Sequence, residues 1–87
     1  MSEAARPSSS EQAAGRLDRL GLTTREAEVL FWISEGKGNR DIGVILGAST
    51  RTICKHVEHI FAKLSVENRT AAAAIAFAVL NQISDYM

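Results

Sequence analysis

The stretch of sequence that decides the fold is residues 36–66, GKGNRDIGVILGASTRTICKHVEHIFAKLSV. Apolar residues at helical spacing come first, Gly47 follows them, and Ser49 precedes a second and longer apolar repeat. Glycine favours a tight turn after a helix, and serine is a preferred helix N-cap. The pattern predicts a helix-turn-helix, in which the second helix enters the major groove of DNA.

The two helices of this unit are predicted over residues 39–46 and 50–64. In the shorter helix, Ile42, Ile45 and Leu46 recur at i, i+3 and i+4, so they are expected to face the core. The longer helix has an apolar stripe on one side and mainly polar residues on the other. The stripe comprises Ile53, Val57, Ile60 and Leu64, and the outward residues are Arg51, Cys54, Lys55, Glu58, His59 and Ala62.

Two further helices are predicted around this unit. Thr23 and Glu26 have the T-x-x-E spacing of a capping box, and Gly36 ends that helix because glycine adopts the left-handed conformation without steric cost. A last helix, over residues 69–83 with Asn68 as its N-cap, is apolar on nearly every side. One face should cover the core, and the other should pack against a second copy in a symmetric dimer. The predicted dimer face comprises Ala74, Phe77, Ala78 and Asn81.

The N-terminal residues have a different composition. Residues 1–16 are predicted to be a disordered lead or linker, because they are polar and contain Pro7 and a serine run. A short helix over residues 12–20 is the alternative. The predicted domain covers residues 17–87, and its fold class is all-α, since the sequence lacks strand-like alternation.

Length and composition limit the classes of function. With 87 residues, one small domain is expected. The apolar fraction of 46% excludes a wholly disordered chain, and no apolar run approaches the roughly 20 residues that span a bilayer. The single cysteine, Cys54, allows no internal disulfide and is typical of a reducing compartment. A cytoplasmic protein without a secretion signal or membrane contact is therefore expected.

The charge of the chain is unevenly distributed, although the net charge is zero. Residues 37–63 hold five basic and two acidic residues, a balance of +3, whereas residues 22–36 hold one basic and three acidic residues, a balance of −2. Positive charge concentrated on the helix-turn-helix indicates nucleic acid as a partner.

Four motifs carry a resemblance to a known family. They are LTTREAEVL at 22–30, EGKGNRDI at 35–42, LGAS at 46–49 with Thr52, Ile53 and His56 after it, and KLSVENRT at 63–70. Over about residues 20–79 the chain resembles the DNA-binding domain of LuxR-type (GerE-like) bacterial transcription regulators. The resemblance implies a four-helix domain that binds DNA through its third helix and dimerises through its fourth.

The chain also departs from the family pattern. Gly38 stands where a serine or threonine N-cap is common, and Ser65 stands where glycine is usual. In the family, the positions that match Cys54, Lys55 and Glu58 commonly face DNA. Cys54 and Glu58 replace residues that are often basic or amide-bearing. Glu58 would repel a phosphate, but it can accept a hydrogen bond from the amino group of cytosine.

The predicted partner is double-stranded DNA, and the predicted contacts lie on helix 50–64 and its N-cap. They are Ser49, Arg51, Thr52, Cys54, Lys55, Glu58, His59 and Lys63. Lys63 has the alternative role of solvating the helix end, and Cys54 has the alternative role of a redox-sensitive thiol. Glu26, Glu28 and Arg69 are predicted to form an internal set of ion pairs.

The leading hypothesis is a homodimeric, sequence-specific DNA-binding transcription regulator that is not an enzyme. No catalytic residue, cofactor, metal or small-molecule ligand is expected, because a nucleophile–base pair and a fourth ligand for Cys54, His56 and His59 are missing. Two alternatives stay open. The chain is a short module that pairs with and inhibits a longer relative, or the excised C-terminal domain of a larger signal-responsive regulator.

Overall fold

The computed structural model describes residues 9–82, which form an all-α domain. The helices of these residues are α1 (Ser9–Leu17), α2 (Thr24–Ser34), α3 (Asn39–Leu46), α4 (Thr50–Leu64) and α5 (Arg69–Gln82), and a 3-10 turn, Asp18–Leu20, follows α1. Helices α2 to α5 are the four predicted from the sequence, and α3 and α4 have the predicted bounds. Residue 83, the predicted end of the last helix, lies outside the described residues.

Helix α1 replaces part of the predicted disordered lead. Residues 9–16 are helical, and Ala13, Ala14 and Leu17 are buried on one side of the helix. Small alanine side chains therefore supply a buried face that was not predicted for the polar lead, and α1 packs against α2 and α5. The fold begins before the predicted boundary at residue 17, while residues 1–8 of the predicted lead lie outside the described residues.

The core is organised around α2, which contacts α1, α4 and α5. Helix α5 contributes Ala72 and Ala76, whose small side chains allow its backbone to approach the other helices closely. Burial of the larger aliphatic side chains stabilises the domain by about 1.5–3 kcal/mol each. The largest fully buried side chains are Leu17, Val29, Leu30, Ile42, Ile53 and Ile60.

The ends of α2 confirm two local predictions. The Thr23 Oγ1 atom accepts from the Glu26 N–H at 3.1 Å, and Glu26 Oε1 accepts from the Thr23 N–H at 2.9 Å. These reciprocal bonds are the capping box. Beyond the last residue of the helix, Gly36 has φ +85°, and the next N–H, of Lys37, donates to the Trp32 carbonyl at 3.0 Å. Gly36 therefore stops α2 as predicted.

The turn between α3 and α4 is unusually close to the helix before it. Gly47 has φ +71°, and the Ala48 N–H donates to the Gly43 carbonyl at 2.8 Å. A Cβ atom at Gly43 would lie 2.6 Å from the Ala48 carbonyl oxygen, which is well inside van der Waals contact. Only glycine fits at position 43 without a backbone shift.

The predicted inward position of Ile45 is wrong. This side chain is 43% exposed, and its neighbour Val44 is 79% exposed, whereas Ile42 and Gly43 are buried. The close approach at Gly43 centres the buried side of α3 on Ile42, Gly43 and Leu46, and this rotates Ile45 towards solvent.

The connection from α4 to α5 depends on an uncommon backbone conformation. Ser65 has φ +58°, and the Val66 N–H donates to the Phe61 carbonyl at 3.0 Å. Ser65 thus adopts the left-handed conformation that glycine takes more readily. Asn68 is the N-cap of α5, as predicted, because its Oδ1 atom accepts from the Ala71 N–H at 2.8 Å.

Candidate nucleic-acid interface

Helix α4 has one buried face and one face in solvent. Ser49 Oγ accepts from the Thr52 N–H at 3.1 Å, which confirms the predicted N-cap. Ile53, Val57 and Ile60 are buried, as the spacing predicted. The opposite side of the helix carries the exposed residues Arg51, Lys55, Glu58, His59 and Ala62.

The eight predicted DNA-contacting residues differ in their surroundings. Cys54 is half-buried, and the others are exposed. Ser49 and Thr52 are joined to each other, and Cys54, His59 and Lys63 lie against side chains of other helices. Within residues 9–82, the charged side chains left without an ion pair on this surface are Arg51, Lys55 and Glu58.

Glu26, in the first turn of α2, holds the C-terminal half of α4. Its carboxylate is buried, Oε1 accepts from Lys63 Nζ at 2.7 Å, and Oε2 lies 3.8 Å from His59 Nδ1. Burial acts to raise the pKa of Glu26, but the hydrogen bonds from Lys63 and Thr23 and the charge of Lys63 outweigh it. The pKa of Glu26 is therefore held below its ordinary value of 4.5. An ionised carboxylate thus joins the capping box of α2 to the side chains of α4.

The predicted ion-pair set of Glu26, Glu28 and Arg69 is wrong in its partners. Glu26 pairs with Lys63, and Glu28 Oε1 lies 3.2 Å from Arg25 Nη1 on the same helix. The guanidinium of Arg69 instead donates hydrogen bonds to Lys37 and Asn39, just before and at the start of α3. The prediction placed the three side chains together by charge alone, whereas the packing of α5 directs Arg69 away from the two glutamates.

Arg69 links three helices through Asn39. Arg69 Nη1 donates to Asn39 Oδ1 at 2.6 Å, and Nη2 donates to the Lys37 carbonyl at 2.7 Å. Asn39 Nδ2 then donates to Cys54 Sγ at 3.3 Å. The first residue of α5 is therefore connected through the first residue of α3 to the middle of α4, and the thiol of Cys54 is held at the edge of the outward face.

Asn39 and Gly43, which contact α4 and the turn before it, were not predicted from the sequence as positioning residues. The partners of Asn39 are 15 and 30 positions away along the chain, so no local spacing indicates them. Gly43 did leave a signal. A glycine inside a helix costs about 1 kcal/mol relative to alanine, so an isolated one can indicate a packing constraint at its position.

The outward face of α5 is exposed and largely apolar. It contains the four residues of the predicted dimer face, Ala74, Phe77, Ala78 and Asn81. Phe77 is 49% exposed and is one of the large hydrophobic side chains in solvent. Ala72 and Ala76, on the other side of the helix, are buried in the core.

Residues 9–82 contain neither a candidate metal site nor a candidate membrane-spanning helix. No group of three or more histidine, cysteine, aspartate or glutamate side chains there is arranged to hold a metal ion. In the same residues, no helix has the length and apolar character needed to cross a membrane.

The arrangement of α3 and α4 is that of a helix-turn-helix domain of the DNA-binding class. It consists of a short helix, a glycine turn and a second helix with a solvent-exposed polar face. Residues 20–76 match the sequence model of the family described as bacterial regulatory proteins, luxR family. The chain belongs to this family of DNA-binding transcription regulators, as its motifs predicted. The family is one of regulatory domains rather than of enzymes.

Individual relatives support this assignment. The chain is 47% identical over 57 residues to the transcriptional activator protein SolR of Ralstonia solanacearum, covering 66% of this chain and 24% of SolR. It is 46% identical over 60 residues to the transcriptional regulatory protein LiaR of Bacillus subtilis, covering 69% of this chain and 28% of LiaR. It is 45% identical over 53 residues to the transcriptional activator protein AhyR of Aeromonas hydrophila, covering 61% of this chain and 20% of AhyR. The chain thus spans about a quarter of the length of these relatives. No solved structure matches it significantly.

Proposed function

We propose that this chain binds double-stranded DNA in a sequence-specific manner and regulates transcription, with α4 lying in the major groove. The observation that carries the proposal is the exposed polar face of α4, which is fixed on the domain by its buried stripe and by Glu26. A helix placed in this way after a glycine turn is suited to insertion into a groove about 12 Å wide. The names of the relatives, two of them transcriptional activators, support a role in transcription.

The exposed residues of α4 have separate roles in this proposal. Arg51 and Thr52, in the first turn, lie where recognition helices contact base edges and nearby phosphates. Lys55 and Glu58 lie in the middle of the outward face and contact bases. Ser49 offers its hydroxyl at the helix N-terminus, and Cys54 lies against a sugar or base as a small side chain.

Lys63 and His59 contribute less than their charge suggests. Both lie beside Glu26, so a phosphate must compete with a carboxylate for the same positive groups. The surface therefore offers few unpaired positive charges per protomer, and its affinity for non-specific DNA should be modest. Affinity should depend on salt with a slope of about −0.9 for each phosphate neutralised.

The test of DNA binding is selection of bound sequences from a random duplex pool at physiological salt. Enrichment of one motif, with affinity that falls as salt rises, is the expected result. Retention of all sequences alike would contradict sequence specificity, and no retention would contradict DNA binding altogether.

The exposed face of α5 is the proposed dimer surface. Phe77 at its centre is flanked by alanines, so two copies of α5 can approach closely about a two-fold axis. Two symmetric recognition helices would then bind half-sites whose centres lie about one helical turn, roughly 34 Å, apart.

Sedimentation equilibrium tests the dimer. Phe77→Glu should convert a dimer to a monomer, because it would bury an unpaired charge in the contact. Val44→Glu is the matched control, since Val44 is 79% exposed on α3 and lies outside the proposed surface. A wild-type chain that is monomeric at high micromolar concentration and binds a palindromic site without cooperativity would refute the assignment.

A second candidate function is a module that pairs with a longer relative and inhibits it. Zero net charge and the acidic Glu58 on the recognition face favour it. The salt-dependent binding experiment separates the two functions, because an inhibitor of this kind would form mixed dimers through α5 without binding DNA itself. The first candidate, DNA binding, applies equally to the excised C-terminal domain of a larger signal-responsive regulator.

A further inference from the structure

Lys55 and Glu58 form an unusual pair on the outward face of α4. They carry opposite charges three positions apart, a spacing at which helical side chains are neighbours. Both are exposed, yet within residues 9–82 neither makes a salt bridge with the other or with a third group. Their charged groups are therefore available to an external partner, unlike those of His59 and Lys63 on the same helix, which lie beside Glu26.

The chemistry of a carboxylate limits what Glu58 can contact in a DNA groove. It is repelled by phosphate and accepts hydrogen bonds without donating any. In the major groove, hydrogen-bond donors are the amino groups of cytosine and adenine. On the groove edge of adenine the amino group stands beside the acceptor N7 of the same base, which repels a carboxylate, whereas the cytosine ring presents a C–H group and no second acceptor beside its amino group.

Lys55 has the complementary requirement. Its ammonium donates hydrogen bonds, and guanine presents the two acceptors O6 and N7 on its major-groove edge. Three helical residues advance about 4.5 Å along the axis, close to the spacing of about 3.4 Å between base pairs. The Lys55 ammonium can therefore reach a guanine while the Glu58 carboxylate reaches a cytosine. The two bases belong to one G·C pair or to two adjacent pairs.

We propose that Glu58 is a specificity-determining residue that selects a cytosine in each half-site, while Lys55 takes a guanine of the same or the adjacent base pair. This inference rests on the proposed insertion of α4 into the major groove. It assigns a base preference to a position where the family often has a basic or amide side chain, so the chain should differ in its target from relatives that carry such residues.

The test is selection from a random duplex pool with the full chain, with Glu58→Gln and with Glu67→Gln as a matched control. Glu67 is an exposed glutamate in the loop after α4, so its variant makes the same change of charge away from the groove. Glutamine pairs with adenine, so Glu58→Gln should change one half-site position from cytosine to adenine by about five- to tenfold. The Glu67→Gln variant should retain the wild-type preference.

A modified base tests the contact itself. Pyrimidin-2-one in place of the selected cytosine lacks the amino group, so it should weaken binding of the wild-type chain and leave binding of Glu58→Ala unchanged. Circular dichroism confirms that each variant is folded. If wild type and Glu58→Gln both retain DNA with the same base preferences, the proposed role of Glu58 is wrong, while the proposed DNA-binding function stands. Absence of any retained duplex, even with the wild-type chain, would overturn the DNA-binding function on which the role depends.

Discussion

Substitution of Glu26 by glutamine tests whether a buried carboxylate fixes α4 on the domain. Glutamine keeps one oxygen that can accept from the Thr23 N–H, so the capping box is largely preserved, but the charge that attracts Lys63 and His59 is lost. A hydrogen bond to a charged group contributes about 1.5–3 kcal/mol. Because the Lys63 side chain is 39% exposed, water reduces this contribution. We expect the free energy of unfolding to fall by about 1–2 kcal/mol.

Urea denaturation, monitored by circular dichroism, measures this change. The midpoint urea concentration should fall while the dependence of the free energy of unfolding on urea concentration stays the same. Glu28→Gln is the control, because Glu28 pairs with Arg25 at the surface of the same helix and should contribute about 0.5 kcal/mol or less. Equal losses in the two variants would refute the anchoring role of Glu26. A double-mutant cycle with Lys63→Met should assign most of the loss to the pair.

The dependence on pH provides a second measurement of the same group. The pKa of Glu26 is lower in the folded chain than its ordinary value of 4.5. Its contribution to stability is therefore complete above that value and is lost as the pH falls through the folded pKa. Wild type should lose more stability than Glu26→Gln on acidification below about pH 5, so the two curves should converge. Parallel curves would show that the ionised form of Glu26 is not favoured by folding.

Three further changes probe the turns and the recognition face. Gly43→Ala should lower the free energy of unfolding by about 1–3 kcal/mol, because the new Cβ would lie 2.6 Å from the Ala48 carbonyl oxygen. Gly15→Ala, where a Cβ meets no atom within 4 Å, is its control and should be neutral or stabilising in the same urea titration. Ser65→Gly should stabilise the chain by about 0.5–1 kcal/mol by relieving the left-handed conformation, and a loss of stability in thermal unfolding would contradict this. Lys55→Ala should weaken specific DNA binding by about 1–3 kcal/mol in a fluorescence titration, and an equal loss on all sequences would reassign Lys55 to phosphate.

Features that depend on neighbouring residues could be predicted from the sequence. The capping box and the N-caps at Ser49 and Asn68 join groups three positions apart, so the residue types and their spacing are sufficient. The buried stripe of α4 repeats with the helical period over four turns, which makes its phase unambiguous. In α3, which has only two turns, the phase was wrong at Ile45.

Features that depend on how helices meet could not be predicted. Lys63 and Glu26 are 37 positions apart, and Arg69 and Asn39 are 30 positions apart. Which charges pair is decided by the packing of α4 and α5 on α2, which no local pattern encodes. The candidate site was therefore predicted as a list of outward residues, whereas the division of their charges between internal and external partners required the structure.

The contact between Gly43 and the Ala48 carbonyl has a consequence for how such a domain diverges during evolution. It joins backbone to backbone, so the angle between α3 and α4 does not depend on the side chains at Arg51, Lys55 or Glu58. Substitutions at these exposed positions change the groups presented to a partner but leave the orientation of the helix unaltered. Single substitutions on the exposed face of α4 are therefore compatible with an unchanged fold.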